Sequence, residues 1–229
     1  LFFTPDHGFF DSQFELKIES ANPGSHIYYT TDGSTPDITN AKLYTAPLAI
    51  STTTVVRAVC ITNNQVTSSI STQTYIFPDD VIHQPADPPG YPSDWGFFLS
   101  INGIAPADYE MDPEMVADPE FAALLREALL DLPVISLVTD KDFLFSKRYD
   151  PETGGIYIYT GTAGGTGYGW ERPVSFEYFD AHDSVSLQMN CGILIHGGEG
   201  RRPEKSPKHS FRLIFRSKYG PAKLNFPLF

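Results

Sequence analysis

The chain has 229 residues, of which 41% are hydrophobic, 14% aromatic and only 19% charged, a balance that favours β-rich globular domains over a charged helical bundle or a disordered chain. Its length exceeds that of a usual single domain and predicts two compact units joined by a linker. The formal net charge of −12 argues against general nucleic-acid binding. No apolar run approaches the length of about 18 residues that a membrane-spanning helix needs.

The first 77 residues are predicted to form short strands separated by turns. "FELKIES" and "TSSISTQTYIF" alternate between apolar and polar residues, and "TTVVRAVCI" is a continuous β-branched run. "HIYYT" runs into the tight turn that Asp32 and Gly33 favour. This pattern predicts a small antiparallel β-sandwich over residues 1–77.

Residues 78–131 are predicted to form a proline-rich connector with one short helix. Eight of the 19 prolines fall between Pro78 and Pro119, a density that disfavours regular helix and central strand. The helix is signalled by Asp118 as N-cap and Pro119 at the first helical position. Its apolar stripe is expected to pack in a core, and consists of Phe121, Leu124, Leu125, Ala128 and Leu129.

Residues 132–229 are again predicted to be rich in strands. The candidate strands are "VISLVT", "GIYIYT", "PVSFEYF", "SLQMNCGILIHG" and "KHSFRLIF". The segment "GTAGGTGYG", residues 161–169, is interpreted as a hairpin loop, because it fits no nucleotide-binding glycine spacing and no helix is predicted after it.

Positive charge is concentrated at the end of the sequence. Residues 201–229 hold eight Lys or Arg and one acid, a formal charge of +7, whereas residues 1–200 carry −19. One interpretation is that the charges lie on the solvated face of a strand in which Phe211, Leu213 and Phe215 alternate with Arg212, Ile214 and Arg216. The other is an anion site, because Arg and Lys beside glycine-rich backbone suit phosphate oxygens. The sequence leaves both open.

The sequence lacks the motifs of several enzyme classes. The chain has no GxSxG elbow, HExxH pair, CxxC motif or EF-hand loop, and its six histidines lack ligand spacing. Acids occur in pairs, Glu171 and Glu177 among them, but acids are abundant throughout. His196, which ends "GILIHGG", is expected to be buried and bonded to backbone.

Two stretches of the chain resemble known families. "HIYYTTDGSTPDITNAKLYTAPLAISTTTVVRAVCI" followed by "STQTYIF" resembles the chitobiase/β-hexosaminidase C-terminal type of Ig-like domain. That resemblance implies an accessory β-sandwich of secreted bacterial proteins, without catalytic residues of its own.

The remainder resembles the beginning of a CotH (spore coat protein H) kinase-like domain. The motifs, in the family's order, are "LPVISLVTDKDFLF", "GGIYIY", "WERPVSFEYFD", "CGILIHGG", "SPKHSFRLIFRSKYG" and "LNFPLF". The resemblance implies a β-rich α+β kinase-like N-lobe that binds ATP with Mg or Mn. The family's catalytic and metal-binding acids follow "PLF", so we expect no catalytic residue in this chain and the metal is unknown.

The resemblance also nominates phosphate-binding residues. Lys208, in "SPKHSFRL", stands where the family has a lysine usually followed by a second one, and here His209 takes the second place. Arg201, Arg202 and Lys205 are further candidates for contact with phosphate.

The sequence therefore yields two hypotheses about function. In the first, the chain is the amino-terminal portion of a secreted or cell-surface CotH-like atypical kinase, with an Ig-like accessory domain (1–77), a connector (78–131) and a partial kinase-like domain (132–229) that is not catalytic alone. Its partner would be a protein acceptor, and the location is implied by the family, since the chain shows no signal-peptide pattern.

In the second hypothesis the chain is a noncatalytic scaffold that binds a surface glycan through exposed aromatic residues. The candidates are Tyr91, Trp95, Tyr168 and Trp170. The oligomeric state is left open in both cases.

Overall fold

A computed structural model describes residues 1–159, 170–182, 186–206 and 209–226. The fold is mainly β, with 36% strand and 15% helix, which confirms the predicted β character. Within the described part of the chain, no helix is both long and apolar enough to cross a membrane.

Residues 2–76, which we call the N-terminal β unit, contain nine strands. They are β1 (Phe2–Thr4), β2 (Gly8–Phe9), β3 (Phe14–Glu19), β4 (His26–Thr30), β5 (Lys42–Leu43), β6 (Leu48–Ile50), β7 (Thr54–Thr62), β8 (Gln65–Val66) and β9 (Ser71–Ile76). One sheet has the order β1-β3-β6, and the other has the order β2-β9-β7-β4-β5 with β8 paired to β7. All pairs are antiparallel except β2 with β9.

The alternation predicted for β3 places its apolar residues in a core. Leu16 and Ile18 are buried, while the intervening Lys17 is exposed. Val56 and Tyr75, from the larger sheet, belong to the same cluster of buried side chains. The larger sheet is covered on both faces around β7, which explains why residues 56–61 are all buried although they do not alternate. Asp32 and Gly33 form the predicted turn, and Gly33 has the positive φ of 80° that favours glycine.

The connector contains more regular structure than predicted. It has three helices, α1 (Pro78–Ile82), α2 (Pro113–Ala117) and α3 (Pro119–Leu130), and a hairpin of β10 (Asp94–Phe98) and β11 (Gly103–Pro106). The prediction of a single helix and no strand was therefore wrong. The prolines are compatible with these helices because each helix begins with a proline, a position where the missing N–H costs no hydrogen bond. The strands β10 and β11 pair only with each other, so they do not form central strands of a larger sheet.

Helix α3 begins where the sequence predicted, but its apolar stripe is largely uncovered. The Asp118 side chain accepts a hydrogen bond from the Glu120 N–H at 2.8 Å. Of the stripe, Leu125 is buried, whereas Phe121 and Leu124 are exposed. The expectation of core packing was wrong for Phe121, Leu124 and Ala128, which are exposed on a helix that packs against α1 and α2.

The cap of α3 gives a stability prediction. Asp118→Ala is expected to lower the free energy of unfolding by about 1 kcal/mol, since it removes the acceptor for an N–H of the first turn. Asp118→Asn keeps an acceptor oxygen and should lose a few tenths of that at most. Urea unfolding measures both, and equal losses in the two variants would contradict a capping role.

The C-terminal sheet is formed by four antiparallel strands in chain order. They are β12 (Val134–Val138), β13 (Arg172–Phe179), β14 (Leu187–His196) and β15 (Ser210–Ile214). Helices α4 (Lys141–Phe145) and α5 (Ile156–Tyr159) lie between β12 and β13 in the chain. Phe176, Cys191 and Ile193 form the centre of its core, and burial raises the pKa of the Cys191 thiol to about 12.

Two local predictions for this region were wrong. "IYIY" was predicted as a strand but forms α5, where Ile156 enters the sheet core and Tyr157 contacts Trp95, so tertiary packing overrides β propensity. Phe211 was expected to lie on an apolar face of its strand, yet it is exposed because β15 is an edge strand. The predicted loop 161–169 lies outside the described residues.

The N-terminal β unit and the C-terminal sheet meet through polar side chains. Thr72 and Thr74 project from one face of β9, and Ser175 and Glu177 project from the matching face of β13. The Thr72 hydroxyl donates to Ser175 Oγ at 2.7 Å, and Glu177 accepts from the Thr74 N–H at 3.0 Å and from the Thr74 hydroxyl. His7 completes the cluster, with Nδ1 at 2.7 Å from Glu177 Oε1.

A second polar contact joins the turn at Asp32 and Gly33 to the C-terminal part of the chain. Asp140, the residue before α4, accepts hydrogen bonds from the Thr35 N–H at 2.8 Å and the Thr35 hydroxyl at 2.6 Å. Arg57 links the two contacts, because it pairs with Thr72 across β7 and β9 and its Nη1 donates to the Gly33 carbonyl at 2.7 Å. In the C-terminal sheet, β15 is the edge strand at the end away from β12.

Candidate functional site

The predicted phosphate-binding residues lie in the loop that joins β14 to β15, residues 197–209, which we call the basic loop. Its ends are held together by the sheet, since His196 pairs with Ser210 at the last position of the ladder. Its described residues include a 3₁₀ turn, Glu199–Arg201, followed by a turn in which the N–H groups of Lys205 and Ser206 donate to the Arg202 carbonyl.

Two of the four nominated residues, Arg202 and Lys205, have side chains among the described residues. Arg202 is exposed, and its Nη1 lies 3.6 Å from Glu199 Oε1, an ion pair that contributes little at such exposure. Lys205 is also exposed. The side chain of Arg201 and the whole of Lys208 lie outside the described residues. The phosphate role of all four stays a prediction.

Glu204, one of two acids in the basic loop, contacts the β10–β11 hairpin. Glu204 Oε1 accepts a hydrogen bond from the Ser100 hydroxyl at 3.0 Å, and Ser100 belongs to the tip of the β10–β11 hairpin. Among the described residues, Glu204 forms no ion pair with Arg202 or Lys205, and Arg202 pairs instead with Glu199. The loop thus presents positive charge on a chain whose net charge is −12.

Two residues beside the loop were missed as site candidates. Arg212, on β15, has Nη2 at 2.8 Å from Nδ1 of His196, and both side chains are exposed. The expectation that His196 is buried and bonded to backbone was therefore wrong, because the last residue of β14 lies beyond the sheet core. The alternation of Arg212 with apolar residues indicated that its side chain faces solvent. Its position beside His196 follows only from the register of β14 with β15.

His209 does not supply the charge of the family's second lysine. Its ring stacks on Tyr157 with centroids 4.1 Å apart, and burial lowers its pKa, so the imidazole is neutral at pH 7. The contact instead fixes the end of the basic loop against α5. Tyr157 in turn packs on Trp95, which places the loop beside the aromatic cluster of the connector.

Two of the four aromatic residues considered for glycan binding are buried. Trp95 and Trp170 are buried, so neither offers a ring face to a sugar. Tyr91 is exposed but contacts Tyr109, Phe145 and the Lys141 ammonium group. Tyr168 lies outside the described residues.

The described residues offer no protein site for a metal ion. Within residues 1–159, 170–182, 186–206 and 209–226, no group of three or more His, Cys, Asp or Glu side chains could hold one.

Comparisons with known proteins bear on the N-terminal β unit. Residues 16–75 match the family model described as "Fn3 associated". Searches of curated proteins and of solved structures gave no match to the chain. The match spans β3 to β9 and leaves the connector and the C-terminal sheet, with the basic loop, unassigned. The N-terminal β unit is thus similar to an Ig- or fibronectin-like associated domain.

Proposed function

We propose that the basic loop binds the phosphate groups of a nucleotide, and that residues 132–229 are the nucleotide-binding portion of a CotH-like atypical kinase. The N-terminal β unit would then be an Ig-like accessory sandwich of the same secreted protein. The observation that supports the proposal is the basic loop itself, in which exposed cations remain uncovered although the chain as a whole is strongly acidic.

The backbone of the loop favours anion binding as well as its charge does. Gly197 has a φ of 121°, and no atom lies within 4 Å of the position that a Cβ of Gly197 or Gly198 would occupy. A phosphate group can therefore approach the main chain closely at these glycines. Arg202 and Lys205, a few residues later, supply the donors that phosphate oxygens accept.

The packing of the sheet suits a fixed rather than an adaptable site. The ladder between β14 and β15 ends at His196 and Ser210, and the stacked ring of His209 holds the returning end of the loop.

Calorimetric titration of ATP, with and without Mg, tests the proposal. The double variant Arg202→Ala/Lys205→Ala is expected to weaken ATP binding by about tenfold or more, since two charge-assisted contacts are lost. Lys208→Ala should weaken it too, as the resemblance places this lysine on the phosphates. Adenosine, which has no phosphate, should bind more weakly than ATP to the unmodified chain.

A matched control separates a specific site from general charge attraction. Lys17 and Lys42 are exposed residues of the N-terminal β unit, and Lys17→Ala/Lys42→Ala removes the same charge far from the basic loop in the chain. This control should bind ATP as the unmodified chain does. Absence of ATP binding, or equal weakening in the two double variants, would overturn the proposal.

A further inference from the structure

The β10–β11 hairpin carries an apolar surface that no part of the described chain covers. Its inner face contributes Trp95 and Ala105, which are 5% and 1% exposed, to the aromatic cluster of the connector. On the outer face Phe97 and Ile104 are directly paired across the two strands, and they are 59% and 62% exposed. The hairpin is therefore apolar on both faces, although only one of them is packed.

The tip of the hairpin extends this surface. Leu99 is 87% exposed and Ile101 is 45% exposed, and both lie in the turn between the strands. Asn102 closes the turn with a φ of 48°, a conformation that asparagine tolerates well. Residues 97–104 contain no charged side chain. We call Phe97, Leu99, Ile101 and Ile104 the apolar tip.

The apolar tip lies next to the basic loop. The Ser100 hydroxyl donates to Glu204 Oε1 at 3.0 Å, which ties the turn of the hairpin to the segment that carries Arg202 and Lys205. Asp94, an acid at the base of the hairpin, is paired with Lys147 at 3.2 Å. An exposed apolar projection and exposed cations thus occupy one end of the molecule.

We propose that the apolar tip and the basic loop together form a docking surface for an anionic lipid bilayer. Apolar side chains on a projecting turn enter the boundary between headgroups and acyl chains, and flanking Lys and Arg bind the anionic headgroups. The local charge supports this occupant, because residues 97–104 carry no charged side chain and residues 201–229, which include part of the basic loop and β15, carry a formal +7. The inference does not rest on nucleotide binding.

Vesicle co-sedimentation of the full chain tests the proposal. The chain should bind vesicles of phosphatidylcholine mixed with phosphatidylglycerol, bind phosphatidylcholine vesicles more weakly, and be released by salt. Leu99→Asp should reduce the bound fraction on anionic vesicles about tenfold, because it places a charge at the most exposed point of the tip. Leu132→Asp, a matched change at an exposed leucine outside the hairpin, should leave binding unchanged.

Measurements of ATP and vesicle binding in the same variants distinguish a nucleotide from a lipid headgroup as the bound phosphate. Leu99→Asp should not change ATP affinity, whereas Arg202→Ala/Lys205→Ala should weaken vesicle binding whether or not ATP binds. No binding to anionic vesicles would overturn the proposal, as would equal losses in Leu99→Asp and Leu132→Asp. Self-association that depends on concentration and is abolished by Leu99→Asp would also overturn it, by assigning the apolar tip to a second copy of the chain.

Discussion

Glu177→Ala is expected to lower the free energy of unfolding by about 3 kcal/mol or more, the largest effect we foresee for a single polar residue. The side chain is fully buried and accepts from the Thr74 N–H and hydroxyl, with His7 Nδ1 also within hydrogen-bond distance. Removing the carboxyl group leaves the buried Thr74 N–H without its acceptor, whereas the Thr74 hydroxyl keeps Ser136 Oγ at 2.8 Å as a partner. It also opens the contact between the N-terminal β unit and the C-terminal sheet.

Urea unfolding compared with that of Glu15→Ala provides the measurement. Glu15 is an exposed residue of β3, so its removal should change stability by no more than about 0.5 kcal/mol. Limited proteolysis should also cut Glu177→Ala faster between the two units. If the two variants were equally stable and equally resistant, the buried contact would not hold the units together.

Arg172→Ala is expected to cost about 3 kcal/mol of stability. The side chain is only 1% exposed, and its guanidinium donates to the carbonyls of Pro151, Gly154 and Glu171. It thereby closes the turn that leads into α5. Without it, these carbonyls lose a donor that the planar guanidinium fork supplies, and a cavity opens beside Phe143 and Trp170.

The contrast with an exposed arginine makes this prediction specific. Arg216 is 57% exposed and lies 3.5 Å from Glu171, so Arg216→Ala should cost no more than about 1 kcal/mol. Arg172→Lys keeps the positive charge but not the planar guanidinium, and should lose most of the stability that Arg172→Ala loses. Thermal unfolding of the three variants gives the comparison, and a stable Arg172→Ala would contradict the role assigned to the guanidinium.

Local signals in the sequence predicted local structure well. The order Asp118, Pro119, Glu120 predicts a capped helix because the cap depends only on neighbouring residues, and α3 begins there. The alternation in β3 and the turn at Gly33 are equally local. "IYIY" failed because α5 exists through contacts with Trp95 and the sheet core, which lie far away in the chain.

The polar contact between the two units could not be predicted from the sequence. Thr74 and Glu177 are 103 residues apart, and each lies on the polar face of a strand that would ordinarily face water. Charge clustering did predict a basic segment near the end of the chain. Its arrangement required the register of β14 with β15, which brings Arg212 to His196, and a contact distant in the chain between Ser100 and Glu204.

Amide hydrogen exchange with and without ATP is the most direct test of the proposed function. It reports on the backbone of the basic loop, including the glycines that are expected to approach the phosphates, and requires no substitution. The account predicts slower exchange in residues 197–216 when ATP is added, with the N-terminal β unit unchanged. No change in the basic loop, or protection confined to another part of the chain, would contradict a phosphate site there.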